Sequence, residues 1–230
     1  MKLILFDIDG TLLLTGGAGM IAFERAFAEL FGLAEVWGDL KPDGKTDPAI
    51  IDEITLRVMS RELTPEEYGN LCRRYHEHFR LEILNAKAFR LMPGVEDVLA
   101  RLAKRADVRL GVATGNFEEA AWLKLERGGL RQYFSFGGFG SDSRDRYELT
   151  RRAVERGIQA AGMAIEPRDV VLIGDTPSDI LAGRRLGSWT VGVATGRHSA
   201  EELRIHRPDR ILPDLRHVEA VLEAFSLGPE

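Results

Sequence analysis

Met1-Lys-Leu-Ile-Leu-Phe-Asp-Ile-Asp-Gly-Thr-Leu12 opens the chain, and this stretch decides the fold. Its apolar run, residues 3–6, is typical of a strand buried on both faces of a sheet, and it ends at Asp7 and Asp9. Because these acids are two residues apart on extended backbone, their side chains point the same way, while Gly10 lets the chain turn without a Cβ. The stretch predicts a strand that presents two carboxylates where it leaves its sheet.

Two carboxylates at the end of a strand favour a bound cation. In open α/β sheets, ligands bind just beyond the carboxyl ends of the strands. A half-buried carboxylate is unfavourable unless a cation meets it, and a divalent metal is a suitable partner. An ordinary turn rich in Asp and Gly is the alternative interpretation of the same residues.

Length and composition indicate a folded protein of one large or two modest domains. The 230 residues are 44% hydrophobic, which is enough for a packed core. The formal net charge is −5 with both signs interspersed, so no surface for nucleic acid or an anionic membrane is expected. Cys72 is the only cysteine, which excludes an internal disulfide and a thiolate metal cluster. The sequence shows no targeting signal and no run of about 20 apolar residues, so we expect a cytoplasmic protein.

Between residues 15 and 90 the sequence predicts helices only. Apolar residues recur at helical spacing over 20–32 and over 49–59. A capping box, Thr64-Pro-Glu-Glu67, begins a third helix that extends to about residue 86. These three helices share no strand signal, so they are expected to pack together.

Strand-like runs flank the helical stretch on both sides, which indicates a helical insert in an α/β domain. We therefore place the catalytic core domain at 1–14 and 91–230 and a helical cap domain at 15–90. His76 and His78 lie two apart on the third helix and hence on different faces, so we interpret both as surface residues and not as metal ligands.

From residue 91 onward, strands and helices alternate. The strand candidates are short apolar runs, the second of them weakened by its glycines; they are 108–113, 134–139, 169–174, 189–194 and 210–212. Helical segments separate them, and one begins at a capping box, Ser199-Ala-Glu-Glu202. This alternation implies right-handed crossovers and a Rossmann-like α/β core, a parallel sheet with helices on both faces.

Three of these strands end in polar residues that can converge at one edge. Asp7 and Asp9 follow the first strand, Thr114 follows the second, and Asp175 with Asp179 follows a later one. The sequence resembles the haloacid dehalogenase superfamily in its opening Asp-x-Asp-Gly-Thr-Leu, in that threonine, in the Gly-Asp-Thr-Pro-x-Asp element and in the position of its helical insert. The last acidic motif and the insert are most similar to the phosphoglycolate phosphatase and β-phosphoglucomutase branch.

The resemblance implies phosphoryl transfer that depends on Mg²⁺. It assigns Asp7 as the nucleophile, forming a covalent aspartyl-phosphate, and Asp9 as the general acid/base. It assigns the Mg²⁺ ligands as the Asp7 carboxylate, the Asp9 main-chain carbonyl and Asp175, with Asp179 either a direct ligand or an outer group. Two alternatives are open: Asp9 holds the turn that follows it, and Asp179 is an acid that favours a helix N-terminus.

The resemblance also predicts how the transferred phosphoryl group is held. Thr114 and the main-chain amides of Gly115 and Asn116 lie where a strand turns into a helix, so they are expected to bind phosphate oxygens. The alternative is that Thr114 caps the helix, and both roles are compatible. A near copy, Gly192-Val-Ala-Thr-Gly196, echoes Gly111-Val-Ala-Thr-Gly115, and we interpret its Thr195 as structural.

The chain departs from the family pattern at its catalytic cation. The family places a lysine before the last acidic motif, whereas this chain has Ser141-Asp-Ser-Arg-Asp-Arg146. We rank Arg144 and Arg146 level as the replacement and Lys124, from the preceding helix, third. Each of the three is otherwise an ordinary solvated charge on a helix.

The insert is expected to select the substrate. Gly44-Lys-Thr-Asp47 is the candidate loop, and Lys45 is placed to meet an anionic leaving group. A turn before a helix, capped by Thr46 or Asp47, is an equally good interpretation. Glycines 16, 17 and 19 are expected to serve as a hinge for opening.

These inferences predict a Mg²⁺-dependent phosphatase that hydrolyses a small, phosphoglycolate-like metabolite through an aspartyl-phosphate. A sugar phosphomutase would share every motif, and a non-catalytic phosphate-binding module is the alternative from another class. The four acids disfavour a mere binder, since binding needs no nucleophile. A dehalogenase is disfavoured because that chemistry uses neither the second acid at Asp9 nor Mg²⁺.

Overall fold

The computed structural model describes residues 1–227, and its main sheet confirms the predicted α/β class. The sheet has six parallel strands in the order β5-β4-β1-β6-β7-β8, and a separate antiparallel pair joins β2 to β3. The strands in chain order are β1 (Lys2–Phe6), β2 (Leu13–Leu14), β3 (Arg90–Leu91), β4 (Val108–Ala113), β5 (Gly137–Gly138), β6 (Val170–Gly174), β7 (Trp189–Val193) and β8 (Arg210–Leu212).

Helices cover both faces of the main sheet. They are α1 (Ala18–Phe31), α2 (Asp47–Met59), α3 (Pro65–Asn85), α4 (Val95–Leu102), α5 (Glu118–Arg127), α6 (Arg146–Ala161), α7 (Pro177–Leu186), α8 (Ala200–Ile205) and α9 (Val218–Ala224). Ile4 and Phe6 of β1 pack with residues of α4, α5 and α9, whereas Leu3 and Leu5 pack with α6 and α7. All four side chains are fully buried. This two-sided burial explains why the strand is apolar at every position.

Helices α1, α2 and α3 form a separate hydrophobic cluster between the two short strands. Phe23 stacks on Tyr75 with ring centroids 4.1 Å apart, and Tyr75 in turn contacts Phe117, the residue that precedes α5. Strand β2 leads into this cluster and β3 leads out of it, paired side by side. The helical insert is therefore packed against the carboxyl edge of the sheet through α5.

The described helices match the expected positions, with small differences at their starts. The capping boxes at Thr64 and Ser199 are both formed, as their spacing predicted. Helix α1 begins two residues earlier than predicted, after Gly17, whose φ of 94° suits glycine. None of the described helices combines the length and apolar character needed to cross a membrane.

Three local features differ from the sequence-based expectations. The β2–β3 pair was not predicted, because two-residue strands have no periodicity to detect. The run 134–139 contributes only Gly137 and Gly138 to the sheet. Glycine is required at both positions, because a Cβ would lie 2.5 Å from Val112 Cγ2 at the first and 1.9 Å from Leu149 O at the second. His76 is half-buried against the ring of Phe117, at 5.3 Å between centroids, so its assignment as a surface residue was wrong.

Candidate active site

Strands β4, β1 and β6 lie side by side, so their carboxyl ends meet at one edge of the sheet. Asp7, Thr114 and Asp175 each follow one of these strands directly. A cavity of about 480 Å³ opens between this edge and the helical insert. The sequence-predicted site residues that line it are Asp7, Asp9, Lys45, Thr114, Gly115, Asn116, Lys124, Arg146 and Asp175.

Three buried carboxylates face one another beneath the cavity: Asp7, Asp175 and Asp179. One ligand oxygen from each lies within 4.8 Å of the others. Burial raises the pKa of Asp7 and of Asp175 well above the ordinary range, and repulsion between the carboxylates adds to the rise. The cluster thus holds more negative charge than its environment readily accommodates.

Arg146 is the cation that meets this cluster. Its Nη2 lies 2.8 Å from Asp7 Oδ1 and also pairs with Asp179, and its side chain is only 11% exposed. Burial alone would lower the pKa of Arg146, but the charges of Asp179 and Asp7 raise it above its ordinary value. Arg146 is therefore a permanent positive charge beside the predicted nucleophile.

Arg144 lies at the surface, away from the acidic cluster. The two arginines are therefore not equal candidates for the catalytic cation, as the sequence analysis had ranked them. Its Nε donates to Asp52 Oδ2 of α2 at 2.5 Å, and both side chains are about half exposed. The two arginines diverge because Arg146 is the first residue of α6 and faces the sheet edge, whereas Arg144 lies in the loop before it. Arg144 thus links the insert to the core at the surface.

Asp179 uses both carboxylate oxygens within the protein. Oδ2 accepts from the amide and the hydroxyl of Thr176, at 3.1 and 2.7 Å, and closes the capping box of α7. Oδ1 is paired with Arg146. Asp179 therefore lies at a helix N-terminus, as one of the two sequence-based interpretations predicted, and its other oxygen positions Arg146.

Lys124 is buried and lies at the other side of Asp9. Its Nζ is 2.6 Å from Asp9 Oδ2 and 2.6 Å from Asn116 Oδ1. The Nδ2 of Asn116 donates to Asp9 Oδ2 and to Thr114 Oγ1, each at 2.7 Å. Lys124 therefore belongs to a network with Asp9, Asn116 and Thr114, and its ammonium pairs with Asp9, away from the cluster formed by Asp7, Asp175 and Asp179.

The segment after β4 is held by the insert. Asp47, at the start of α2, donates its amide to Gly115 O at 2.7 Å, and its Oδ2 accepts from Phe117 N at 2.7 Å. Asp47 thus binds the amide just before α5, and Ser141 Oγ accepts from Glu118 N, the first amide of that helix, at 2.9 Å, so Thr114 is not its cap. Burial raises the pKa of Asp47 to about 6, against the attraction of Lys124.

Lys45 lines the cavity, but its Nζ is paired with Glu53 of the same insert. Thr46 caps α2 by accepting from Ala49 N at 3.3 Å, as one of the two interpretations of this loop predicted. The Thr195 hydroxyl donates to Gly10 O at 2.6 Å, in keeping with a structural role. The segment after β4 and the turn after β1 are thus each held by a residue distant in sequence, Asp47 and Thr195 respectively.

Sequence reasoning missed three residues that shape the site. Asp47 was considered only as a cap of its own helix, although it binds the amide just before α5. Thr11 donates to Asp175 Oδ1 at 3.0 Å. A Cβ at Gly196 would lie 1.8 Å from Asp175 Oδ2, so this residue must be glycine. The repeated Val-Ala-Thr-Gly, which ends at residue 115 and again at residue 196, was the only signal for Gly196. Nothing local pointed to the roles of Asp47 and Thr11.

A parallel α/β sheet with buried carboxylates, an arginine and helix N-terminal amides at its carboxyl edge is suited to an enzyme that transfers phosphoryl groups. A family model described as haloacid dehalogenase-like hydrolase matches residues 1–187. The chain belongs to this family and is a phosphoric monoester hydrolase, which confirms the resemblance seen in its motifs.

Comparisons with individual proteins agree with the family. A phosphoglycolate phosphatase of Synechococcus elongatus is 29% identical over 214 residues, which are 92% of this chain and 92% of the relative. A crystal structure described as a predicted phosphoglycolate phosphatase from Haemophilus somnus has a TM-score of 0.73 at 20% identity, covering 96% of this chain and 97% of that one. A β-phosphoglucomutase from Clostridium difficile has a TM-score of 0.72 at 16% identity, covering 98% and 97%. The two structures establish the shared fold.

Proposed function

We propose that this protein is a Mg²⁺-dependent phosphatase that hydrolyses a small phosphorylated metabolite through a phosphorylated Asp7. One observation carries the proposal: Asp7 lies at the end of β1 on the cavity wall, with Arg146 2.8 Å away and Asp175 beside it. A carboxylate in such surroundings can act as a nucleophile because adjacent positive charge offsets its repulsion from a phosphate.

The donor set fits Mg²⁺. Asp7 and Asp175 offer hard oxygen ligands, and burial together with repulsion from neighbouring carboxylates raises the pKa of both acids, so a bound cation would favour their ionised forms. Within the described residues the Asp9 main-chain carbonyl accepts no backbone hydrogen bond, so it is available as a third ligand. We place Asp179 outside the ligand sphere, because Thr176 and Arg146 already engage it. When bound, Mg²⁺ supplies charge neutralisation between the nucleophile and the phosphoryl group.

In the first step an Asp7 oxygen attacks phosphorus and the bond from phosphorus to the leaving oxygen breaks. Asp9 gives a proton to that oxygen, since an alkoxide is a poor leaving group. Thr114 and the amides of Gly115 and Asn116 hold the phosphoryl oxygens, and Arg146 offsets their charge. The products of this step are the free alcohol and an aspartyl-phosphate.

In the second step water attacks the same phosphorus. Asp9, now deprotonated, takes a proton from the water as its oxygen bonds to phosphorus. The bond between phosphorus and Asp7 breaks, which releases inorganic phosphate and restores the Asp7 carboxylate and the protonated Asp9. Asp9 thus acts first as an acid and then as a base.

We propose a small anionic metabolite as substrate, with phosphoglycolate the first to be tested because a relative carries that name. The insert lines the cavity with Phe23, Trp37 and Ile50. Besides Lys124 and Arg146, the cations that line it are Lys45, Arg90 and Arg197. We propose that Lys45 binds the anionic leaving group of the substrate and gives up its ion pair with Glu53 when it does so. No feature of the cavity suggests nucleic acid or a membrane as a partner.

Two further expectations accompany this proposal. We place the boundary between core and cap at 14/15 and 90/91, which is supported by the pairing of β2 with β3 at those positions. We also propose a cytoplasmic location, which is consistent with the single, half-buried thiol of Cys72.

The test is a panel of phosphate esters assayed with Mg²⁺ and again with a chelator. We expect release of inorganic phosphate that the chelator abolishes, and a loss of at least about a thousandfold in Asp7→Asn. Retention of the phosphoryl group on a sugar would indicate a mutase instead. Turnover by Asp7→Asn at the parent rate would refute the proposal.

A further inference from the structure

Lys124 is buried inside the active site, but neither of its hydrogen bonds goes to the acidic cluster of Asp7, Asp175 and Asp179. Its side chain is 5% exposed, and its two hydrogen bonds go to Asp9 and Asn116. The buried ammonium pairs with Asp9 and attracts the nearby Asp47 carboxylate, while the Phe79 ring lies 5.8 Å away. A buried lysine held in this way has a different function from a cation that neutralises phosphate.

Lys124 decides the direction of every hydrogen bond in its network. An ammonium only donates, so the acceptor oxygen of Asn116 must face it. The amide nitrogen of Asn116 is then turned towards Asp9 Oδ2 and Thr114 Oγ1, and it donates to both. The order of donation is therefore from Lys124 to Asn116 and from Asn116 to Thr114.

This order assigns different tasks to the two oxygens of Asp9. Oδ2 accepts hydrogen bonds from both Lys124 and Asn116, and these two donors together occupy the positions where a proton would bind to that atom. The Asp9 side chain is 40% exposed where it lines the cavity. Oδ1 is thus the oxygen that carries and releases the proton, and it is the one free to meet the leaving group.

The same order orients the hydroxyl of Thr114. Its oxygen accepts from Asn116, so its hydrogen is free to point elsewhere. Thr114 is fully buried in the protein fold but lines the cavity, where a phosphoryl oxygen would accept that hydrogen. Without Lys124, Asn116 could rotate by half a turn and take the hydroxyl hydrogen for itself.

We infer that Lys124 is a positioning residue: it directs proton transfer through Asp9 Oδ1 and points the Thr114 hydroxyl at the phosphoryl group. This inference rests on the proposed phosphatase function and goes beyond it, since Lys124 is not the cation that neutralises the substrate. In the proposed mechanism Arg146, 2.8 Å from Asp7, is the cation that neutralises the substrate.

The experiment compares two leaving groups in Lys124→Met. p-Nitrophenolate leaves without a proton, whereas an alkyl phosphate needs one from Asp9. We expect kcat/KM to fall about tenfold or less for p-nitrophenyl phosphate, from the Thr114 hydrogen bond alone, and at least about tenfold further for the alkyl phosphate. Exposed Lys104→Met is the matched control, with both values unchanged.

Asn116→Leu is the second variant, which keeps the test valid if Lys124→Met does not fold by circular dichroism. It removes the link to Thr114 and one of the two donors to Asp9 Oδ2. Lys124 still donates to that oxygen and keeps the proton on Oδ1, so we expect about the same loss with both substrates. Calorimetry with inorganic phosphate and Mg²⁺ supplies a readout other than activity. We expect Lys124→Met to weaken phosphate binding about tenfold or less.

Equal losses of about a hundredfold with both substrates, together with a similar loss of phosphate affinity, would overturn the inference and make Lys124 a phosphate-neutralising cation. Unchanged kinetics in Lys124→Met would overturn it as well. Both outcomes require that the unmodified protein is an active phosphatase. A parent without phosphatase activity would instead refute the proposed function.

Discussion

At the residue scale, Gly196 shows how the absence of a side chain shapes an active site. Its missing Cβ would lie 1.8 Å from Asp175 Oδ2, closer than any non-bonded contact allows. We predict that Gly196→Ala displaces the Asp175 carboxylate and lowers kcat/KM by about a hundredfold or more, with weaker Mg²⁺ affinity by calorimetry.

Gly69→Ala is the control for this prediction. Gly69 lies within α3, and a Cβ there would meet open space. Alanine favours a helix more than glycine does, so this variant should keep full activity and gain up to about 1 kcal/mol of stability. Full activity in Gly196→Ala would contradict the assignment of Asp175 as a ligand.

The two arginines near the start of α6 provide a matched pair. Arg146→Met removes the charge 2.8 Å from Asp7, and we expect kcat/KM to fall by about a hundredfold or more. Arg144→Met breaks an exposed ion pair with Asp52, which contributes under ~1 kcal/mol, so its kcat/KM should change less than about threefold. Measuring kcat/KM of both variants with one substrate decides which arginine is the catalytic cation. A larger loss in Arg144→Met than in Arg146→Met would assign that role to Arg144.

At the element scale, the start of α5 is held by both parts of the chain: Ser141 of the core accepts from Glu118 N, and Asp47 of the insert accepts from the residue before it. Asp47 accepts from Phe117 N at 2.7 Å and is buried, which raises its pKa to about 6. Because this folded-state pKa exceeds the unfolded value, the ionised form destabilises the fold, by about 3 kcal/mol above pH 6. The destabilisation declines as the pH falls through about 6 towards the unfolded pKa.

We predict that Asp47→Asn raises the melting temperature at pH 8 and has less effect at pH 5. The asparagine oxygen still accepts from Phe117 N but carries no charge to desolvate. Asp52→Asn, in an exposed position of the same helix, is the control and should alter stability by under ~1 kcal/mol at either pH. Thermal unfolding at the two pH values tests this, and an equal gain at both would show that ionisation of Asp47 has no part in it.

The elements that sequence predicted best are those with strong local signals. The capping box at Thr64 and the apolar runs of β1, β4 and β6 depend on residues near one another in the chain. Strands β2 and β3 are the opposite case, since their pairing depends on a partner more than 70 residues away. Local chemistry therefore identified the framework, and tertiary contacts determined the rest.

At the scale of the whole molecule, the same distinction separates what was predictable in the site. Asp7, Thr114 and Asp175 follow strands, so parallel topology alone brings them together. The choice of Arg146 over Arg144 depends on where α6 begins, and the bond from Lys124 to Asp9 spans 115 residues. No spacing rule specifies such a contact, because it depends on how α5 packs against both the core and the insert.

The acidic cluster should also make the stability of the whole protein depend on Mg²⁺ and pH together. Burial, and the other carboxylates, raise the pKa of Asp7 and Asp175 above the unfolded values, so their ionisation destabilises the metal-free fold increasingly as the pH rises above the ordinary carboxylate range. Bound Mg²⁺ would stabilise the ionised forms and release protons. We predict that millimolar Mg²⁺ raises the melting temperature more at pH 8 than at pH 6. Asp175→Asn should raise the metal-free melting temperature and remove most of the response to Mg²⁺, and a parent protein whose melting temperature ignores Mg²⁺ at both pH values would exclude the cluster as the metal site.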